Sequence, residues 1–221
     1  MDNRKPNCLE LSTDASVFSS DFSLSKEIFE RQQKLVAIFG GGGISEDSNY
    51  YQKAKEFASL ISQSGISIIT GGGPGIMQAG NNGAKLADSS ASSYGLKVEA
   101  IKDEDVEESP FIDSDCKFTF NTLSIRLLTL IGSSDAIVFF PGGFGTLEEM
   151  FSLLVRVRVG MMKKPPIYLC GSEFWGGLFS WLSSEVLRNG AISEKDLELF
   201  KLEDDIQKIS SEIISIISGS N

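Results

Sequence analysis

The stretch "DAIVFFPGGFGTLEEM", Asp135 to Met150, runs from a β-branched and aromatic segment into a proline and three glycines, and ends on a helix-forming run with two adjacent glutamates. Glycines directly after such a segment mean that the backbone turns sharply, or comes close to something, where a strand ends. The pattern occurs twice upstream. "KLVAIF" (34 to 39) is a short buried strand followed by four glycines, and "ISIIT" (66 to 70) is a second strand, again followed by glycines. Between them "YYQKAKEFASLISQSG" (50 to 65) places Tyr50, Ala54, Phe57 and Ile61 at helical spacing and closes on Gly65. "IMQAGNNGAKLA" (76 to 87) reads as the next helix, "SSYGLKV" (92 to 98) as a strand, "CKFTF" (116 to 120) as a short extended piece and "TLSIRLLTLIG" (122 to 132) as a helix. A helix to about Val159, a strand "PPIYLC" (165 to 170), and helices near 174 to 189 and 204 to 218 complete the alternation. Strands alternating with helices predict an α/β fold: a Rossmann-like, doubly wound parallel sheet with helices on both faces.

The chain of 221 residues suits one such domain. Residues 1–34 are Ser- and Asp-rich and are expected to form a loosely ordered N-terminal arm ending in a helix; residues 35–221 are expected to form the nucleotide-binding domain. No apolar run approaches the roughly 20 residues of a membrane span, and no signal-peptide pattern opens the chain, so a cytoplasmic protein is expected. Cys8, Cys116 and Cys170 lack a CxxC pair and are expected to be reduced and structural.

The chain contains no histidine. That excludes Ser-His-Asp and Cys-His catalysis, and any chemistry must run on carboxylates, Arg, Lys, Tyr or backbone dipoles. The net charge of -10 argues against nucleic acid or anionic membranes as partners. Its distribution matters more than its sum. Glu99 to Asp115 holds eight acids and the single base Lys102, so this segment carries most of the excess and the rest is near neutral. Its spacing matches no Ca²⁺ loop, and a solvated loop is the expectation. Neither a metal nor a cofactor is called for.

Eleven of the 22 glycines fall in three clusters: Gly40–Gly43, Gly71–Gly73 with Gly75, and Gly142, Gly143 and Gly145. In a parallel sheet, loops that follow strands emerge at one edge, where open α/β folds bind ligands at the topological switch point. The three clusters are therefore expected to line one site, with bare N–H groups suited to a phosphate. A GxGxxG fingerprint fails at Ser45 and again at Ile76, and no GxxxxGK[ST] occurs, so neither NAD nor a P-loop triphosphate is indicated.

Thr146 and Glu149 stand three apart at the start of a helix. They either face a crevice together or form a capping box in which Glu149 bonds back to the backbone. Arg126 lies beside the stripe Leu123, Leu127, Leu130 and Ile131, and an arginine there either snorkels to water or answers a buried anion.

"PGGFGTLEE", an arginine 23 residues before its second glutamate, and "TGGGPGIMQAGNNGA" upstream resemble the LOG ("lonely guy") family of phosphoribohydrolases, especially its larger bacterial-type branch. The likeness runs from about Leu35 to Ile209 and includes "GSEFWGGL" and "LFKLEDD". It implies a Rossmann-like fold, dimers or higher homo-oligomers, and hydrolysis of the N-glycosidic bond of purine nucleoside 5′-monophosphates, N6-modified AMP among them, to free base and ribose 5-phosphate. By matching position, Arg126 and Glu149 would be the catalytic pair. Gly40, Gly72, Gly73, Gly75, Met77, Pro141, Gly142, Gly143, Gly145 and Thr146 would bind the nucleotide. Two positions depart from the family pattern: Leu127 stands where a lysine usually follows the arginine, and the first loop reads "GGGG" where a serine and an arginine usually follow its first glycine. A non-catalytic protein that senses or sequesters a phosphorylated ligand through the same loops is the alternative. The lysine decarboxylase label often attached to such sequences is a third reading, discounted because no lysine sits in a recognisable Schiff-base setting.

Overall fold

The structure, a computed structural model, describes residues 14–99 and 108–219. Every strand pairing in it is parallel. Strands β1 (Leu35–Phe39), β2 (Ser67–Thr70), β3 (Ser93–Val98), β4 (Lys117–Phe120), β5 (Ala136–Phe139), β6 (Ile167–Leu169) and β7 (Lys201–Leu202) form one sheet in the order β4-β3-β2-β1-β5-β6-β7. The chain steps outward from β1 to β4 and then returns, so that β5 lies on the other side of β1. The switch point is thus the gap between β1 and β5, above which the first and third glycine loops stand.

The apolar runs of β1 and β5 are continuous because both faces of the sheet are covered. Leu35, Ala37, Phe39, Ile137 and Phe139 enter one core, while Val36, Ile38, Ala136, Val138 and Phe140 enter the other. Phe39 and Phe139 are register partners, and their rings stack with centroids 5.0 Å apart. Helices α2 (Asn49–Gln63), α3 (Ile76–Leu86) and α8 (Ile206–Ile217) cover the second face. On the first lie α1 (Ala15–Glu30), α4 (Leu123–Gly132), α5 (Phe144–Arg158) and α6 (Ser172–Trp181), which runs on into a π-helical segment Leu182–Leu187. A short α7 (Glu194–Leu197) precedes β7. The π-helical segment, α7 and the two-residue β7 add detail to the sequence reading without changing its alternation.

Residues 1–13 lie outside the described part, but Ala15–Glu30 is a 16-residue helix docked on α4. Its inward face carries polar groups, which hydrophobic periodicity does not register. Ser25 Oγ and Thr129 Oγ1 are 2.6 Å apart, and the buried Asp21 carboxylate accepts bonds from the Asn121 and Thr122 backbone N–H groups, the Asn121 amide and the Thr122 hydroxyl. Asp21 therefore supports the start of the helix that carries Arg126. Asp21→Ala is expected to lower stability by about 2–3 kcal/mol, because it leaves several buried donors without an acceptor. Thermal unfolding measures this; a melting temperature equal to that of the wild type contradicts it.

The middle of the acidic segment, where a solvated loop was expected, lies outside the described residues. Glu99 and residues from Glu108 onward are described; Asp103, Glu104, Asp105, Glu107 and Lys102 are not. Glu108 pairs with Lys97 at 3.0 Å and with Lys117, while Asp113 accepts from the Ser93 N–H at 2.7 Å and pairs with Lys85. The end of the segment is thereby fastened across β3 and its neighbours. Cys116 and Cys170 are buried free thiols; Cys8 lies outside the described residues. Among the described residues no helix is long and apolar enough to cross a membrane.

Candidate active site

The three glycine loops meet at the carboxyl edge of the sheet. Gly41 joins them: its N–H donates to the Pro141 carbonyl at 2.9 Å, and its carbonyl accepts from the Ile76 N–H at 3.2 Å. These contacts need glycine. A Cβ on Gly75, whose φ is +64°, would lie 2.4 Å from the Gly41 oxygen; one on Gly142 would lie 2.2 Å from Thr146 Oγ1, and one on Gly40 would strike the Ile76 side chain at 2.6 Å. Gly72 has φ +73° and packs under Lys97 and Ile112, while its carbonyl accepts from the Ser109 N–H. Gly73 is buried. For Gly40, Gly72, Gly75 and Gly142 the protein's own packing thus accounts for the residue type.

Gly43, Gly143 and Gly145 differ. A Cβ at any of them would meet nothing within 4 Å. Gly145 even lies inside the first turn of α5, where glycine costs roughly 0.5–1 kcal/mol relative to alanine. Internal packing gives no reason for glycine there, and close approach of a ligand to the backbone gives one.

Helix α5 begins at Phe144 with Gly143 as its N-cap, two residues earlier than the sequence pattern indicated, and no side chain caps it. Thr146 is consequently the third helical residue and Glu149 the sixth, so the capping-box reading of this pair does not hold. Other helix starts are answered by side chains: by Asp14 at α1, Ser48 at α2, Thr122 at α4 and Asp205 at α8, while the Asp204 carboxylate accepts from Gly171 and Ser172 at the start of α6; α3 also lacks a side-chain cap, but its Ile76 N–H goes to the Gly41 carbonyl. The uncapped α5 start presents free N–H groups and the positive end of the helix dipole to the crevice.

Arg126 and Glu149 come together. Arg126 does not snorkel: its side chain is 12% exposed, its Nε donates to the Leu96 carbonyl at 2.6 Å, and Nη2 reaches toward the Gly71 carbonyl at 3.4 Å. Nη1 then faces Glu149 Oε1 at 4.0 Å, an ion pair without a close hydrogen bond. Burial pushes the Glu149 carboxyl up to about 7, against the pull of Arg126 and with a smaller push from Glu148. Burial likewise lowers Arg126, while both glutamates hold it up. Near neutral pH the Glu149 carboxyl therefore exists in both protonation states, which suits acid–base work. In the helix stripe, Leu127, Leu130 and Ile131 are buried as read, whereas Leu123 is largely exposed. Leu127, in the position of the family's lysine, belongs to the core.

Met77 lies between the loops, with its Sδ near Gly71 and its Cε near Gly42. A crevice of about 330 Å³ opens between the first and third loops, walled by Ile44, Tyr50 and Phe174. Sequence reasoning did not place these three among the site residues, and it had Gly71 only as a member of the second glycine cluster. Tyr50 and Phe174 arrive from the starts of α2 and α6, and only the strand order brings those helix starts together.

Residues 77–213, well over half of the chain, match the family model described as "Possible lysine decarboxylase". The chain belongs to this family, which includes the LOG proteins. Among relatives, a cytokinin riboside 5′-monophosphate phosphoribohydrolase of Rhodococcoides fascians is 26% identical over 152 residues, covering 67% of this chain and 74% of its own length. A bifunctional cytokinin biosynthesis protein of Fusarium pseudograminearum is 25% identical over 189 residues, which cover 79% of this chain but only 39% of that protein. The molybdenum cofactor carrier protein of Chlamydomonas reinhardtii superposes with a TM-score of 0.60 at 20% identity, over 85% of this chain and 99% of its own. A molybdenum cofactor binding protein of Rippkaea orientalis gives 0.59 at 19% identity, over 84% and 98%. At these identities the structural likeness concerns the Rossmann-like fold alone.

The family's descriptive name implies amino-acid decarboxylation, which ordinarily runs on pyridoxal phosphate held by a Schiff-base lysine. The site does not fit that group. Lys97, which packs beside Gly72, turns its ammonium to Glu108, and the polar side chains that face each other at the loops are Arg126 and Glu149.

Proposed function

We propose that the protein hydrolyses the N-glycosidic bond of a purine nucleoside 5′-monophosphate, releasing the base and ribose 5-phosphate. The observation that carries this reading is the placement on one helix, α5, of an uncapped N-terminus flanked by open glycines and, one turn further on, a buried carboxylate opposite Arg126. The 5′-phosphate is held by the free N–H groups of α5 and the glycine loops. C1′ then lies along the helix toward Glu149, whose carboxylate stabilises the oxocarbenium-like transition state and orients or deprotonates the attacking water. Arg126 stabilises negative charge on the departing base. The relatives that bear the phosphoribohydrolase name support the reaction class, and N6-modified AMP is the substrate their names suggest.

The test is incubation with AMP, N6-isopentenyl-AMP and the matching nucleosides. Free base and ribose 5-phosphate are expected from the monophosphates, and no cleavage of nucleosides, which lack the group that α5 holds. Equal cleavage of adenosine and AMP contradicts the role given to the helix start.

The second reading, a binding protein without turnover, is favoured by one observation: a molybdenum cofactor binding protein and a molybdenum cofactor carrier protein share this fold over nearly their whole length. It wins if wild-type protein binds AMP but releases no base from any monophosphate in a broad panel.

The same reading includes a homodimer or larger homo-oligomer. Phe144, Phe151, Val155 and Val159 form an exposed apolar stripe along α5, with Phe144 93% exposed inside the glycine loop itself. A second copy of the chain covers it. Sedimentation is expected to give at least twice the monomer mass, and Val155→Asp to reduce it to the monomer; a monomeric wild type contradicts this.

A further inference from the structure

Arg126 reaches its position past a residue that has no side chain to put there. A Cβ built on Gly71 would stand 2.2 Å from Arg126 Nη2 and 2.7 Å from Met77 Sδ. Both are far inside ordinary contact distance. Unlike Gly72 and Gly75, Gly71 has a φ outside the left-handed region, so its backbone would accept any residue. Clearance, and not conformation, is what glycine provides. The guanidinium uses that clearance to reach from the Leu96 carbonyl within β3 to the Gly71 carbonyl just past β2, and Nη1 is left facing Glu149 at 4.0 Å.

We propose that Gly71 is a positioning residue: its missing side chain seats Arg126 against the Gly71 and Leu96 carbonyls of the β2 and β3 segments and so sets the spacing of the Arg126–Glu149 pair. The consequence for catalysis rests on the hydrolase reading above; the consequence for the pair does not. A methyl group at position 71 displaces the guanidinium by about 1 Å or more to restore ordinary contact. Misplacement on that scale costs about 10²-fold in rate.

The charges acting on Glu149 are Arg126, facing it from α4, and Glu148 on its own helix. Moving Arg126 away weakens the one that, among the described residues, favours the ionised form. In Gly71→Ala the Glu149 carboxyl, followed by carbon-detected NMR across pH, is therefore expected to titrate at higher pH than in the wild type, shifted in the direction of Arg126→Met. Hydrolysis is expected to fall about 10²-fold, with the acid limb of its pH profile moved the same way. In an Arg126→Met background, Gly71→Ala should change neither the titration nor the residual rate, whereas a purely structural glycine would cost the same in both backgrounds. An unchanged Glu149 titration in Gly71→Ala overturns the proposal. If that variant is too unstable to purify, Gly71→Ala/Arg126→Met decides: with only the flexible end of Met77 left to give way, it folds if the guanidinium is what glycine avoids, and its failure to fold overturns the proposal. A wild type that cleaves no monophosphate sinks the hydrolase reading alone, since the titration is read without substrate.

Discussion

Glu149→Gln is expected to lower base release by about 10²–10⁴-fold, the range of a positioned acid–base group, while AMP affinity changes little. Glutamine keeps the shape and fills the same buried position on α5 but has no charge for an oxocarbenium-like centre and no basic oxygen for water. The variant separates binding from turnover because the phosphate is assigned to the helix start and not to this side chain. It also carries a stability signature. The folded protein holds the Glu149 proton up to about 7, against an ordinary value of 4.5. A folded-state value above the unfolded one means that stability is fullest below the unfolded value and falls as pH rises through about 7. Ionising this carboxyl in the fold therefore costs about 3 kcal/mol at pH 8, a cost absent at pH 4. Glu149→Gln should consequently melt higher than the wild type at pH 8, and the difference should shrink toward pH 5. A variant that hydrolyses AMP at the wild-type rate, or shows no pH-dependent gain in stability, contradicts the placement of this carboxyl.

Arg126→Met should lose about 10²–10³-fold in rate, the cost of removing one preorganised charge stabiliser. It should also move the acid limb of the rate profile to higher pH. The sign follows from the pair: Arg126 pulls the Glu149 titration down, so its removal lets burial and Glu148 push it further up. Methionine fills much of the same volume, and Glu149 can take up a proton when its partner is gone, so the fold should survive near neutral pH. A pH–rate profile with an unmoved acid limb would show that Glu149 does not feel Arg126 in solution.

Much of this was legible in the sequence because the signals were local. Apolar runs ending in glycine gave the strands and their carboxyl-edge loops, and the helix between Leu123 and Gly132 placed Arg126 one strand before the loop of Glu149. What the sequence hid depends on contacts between distant segments. Helix α1 docks through Asp21, Ser25 and Thr129, polar groups whose partners are about 100 residues away. Whether Arg126 snorkels or turns inward is decided by the Leu96 and Gly71 carbonyls, and no pattern within α4 contains them. The glycines looked alike in sequence. Structure divides them into Gly40, Gly72, Gly75 and Gly142, needed by neighbouring chain, and Gly43, Gly143 and Gly145, which face open space.

In the hydrolase proposed above, α5 grips a 5′-phosphate at its start and aims Glu149 at the glycosidic bond of the same molecule. A crystal structure of Glu149→Gln with AMP tests this most directly. The predicted result places the phosphate against the N–H groups at the start of α5, with C1′ beside residue 149 and the base within reach of Arg126. Phosphate bound away from α5, or a glycosidic bond turned away from residue 149, would contradict it.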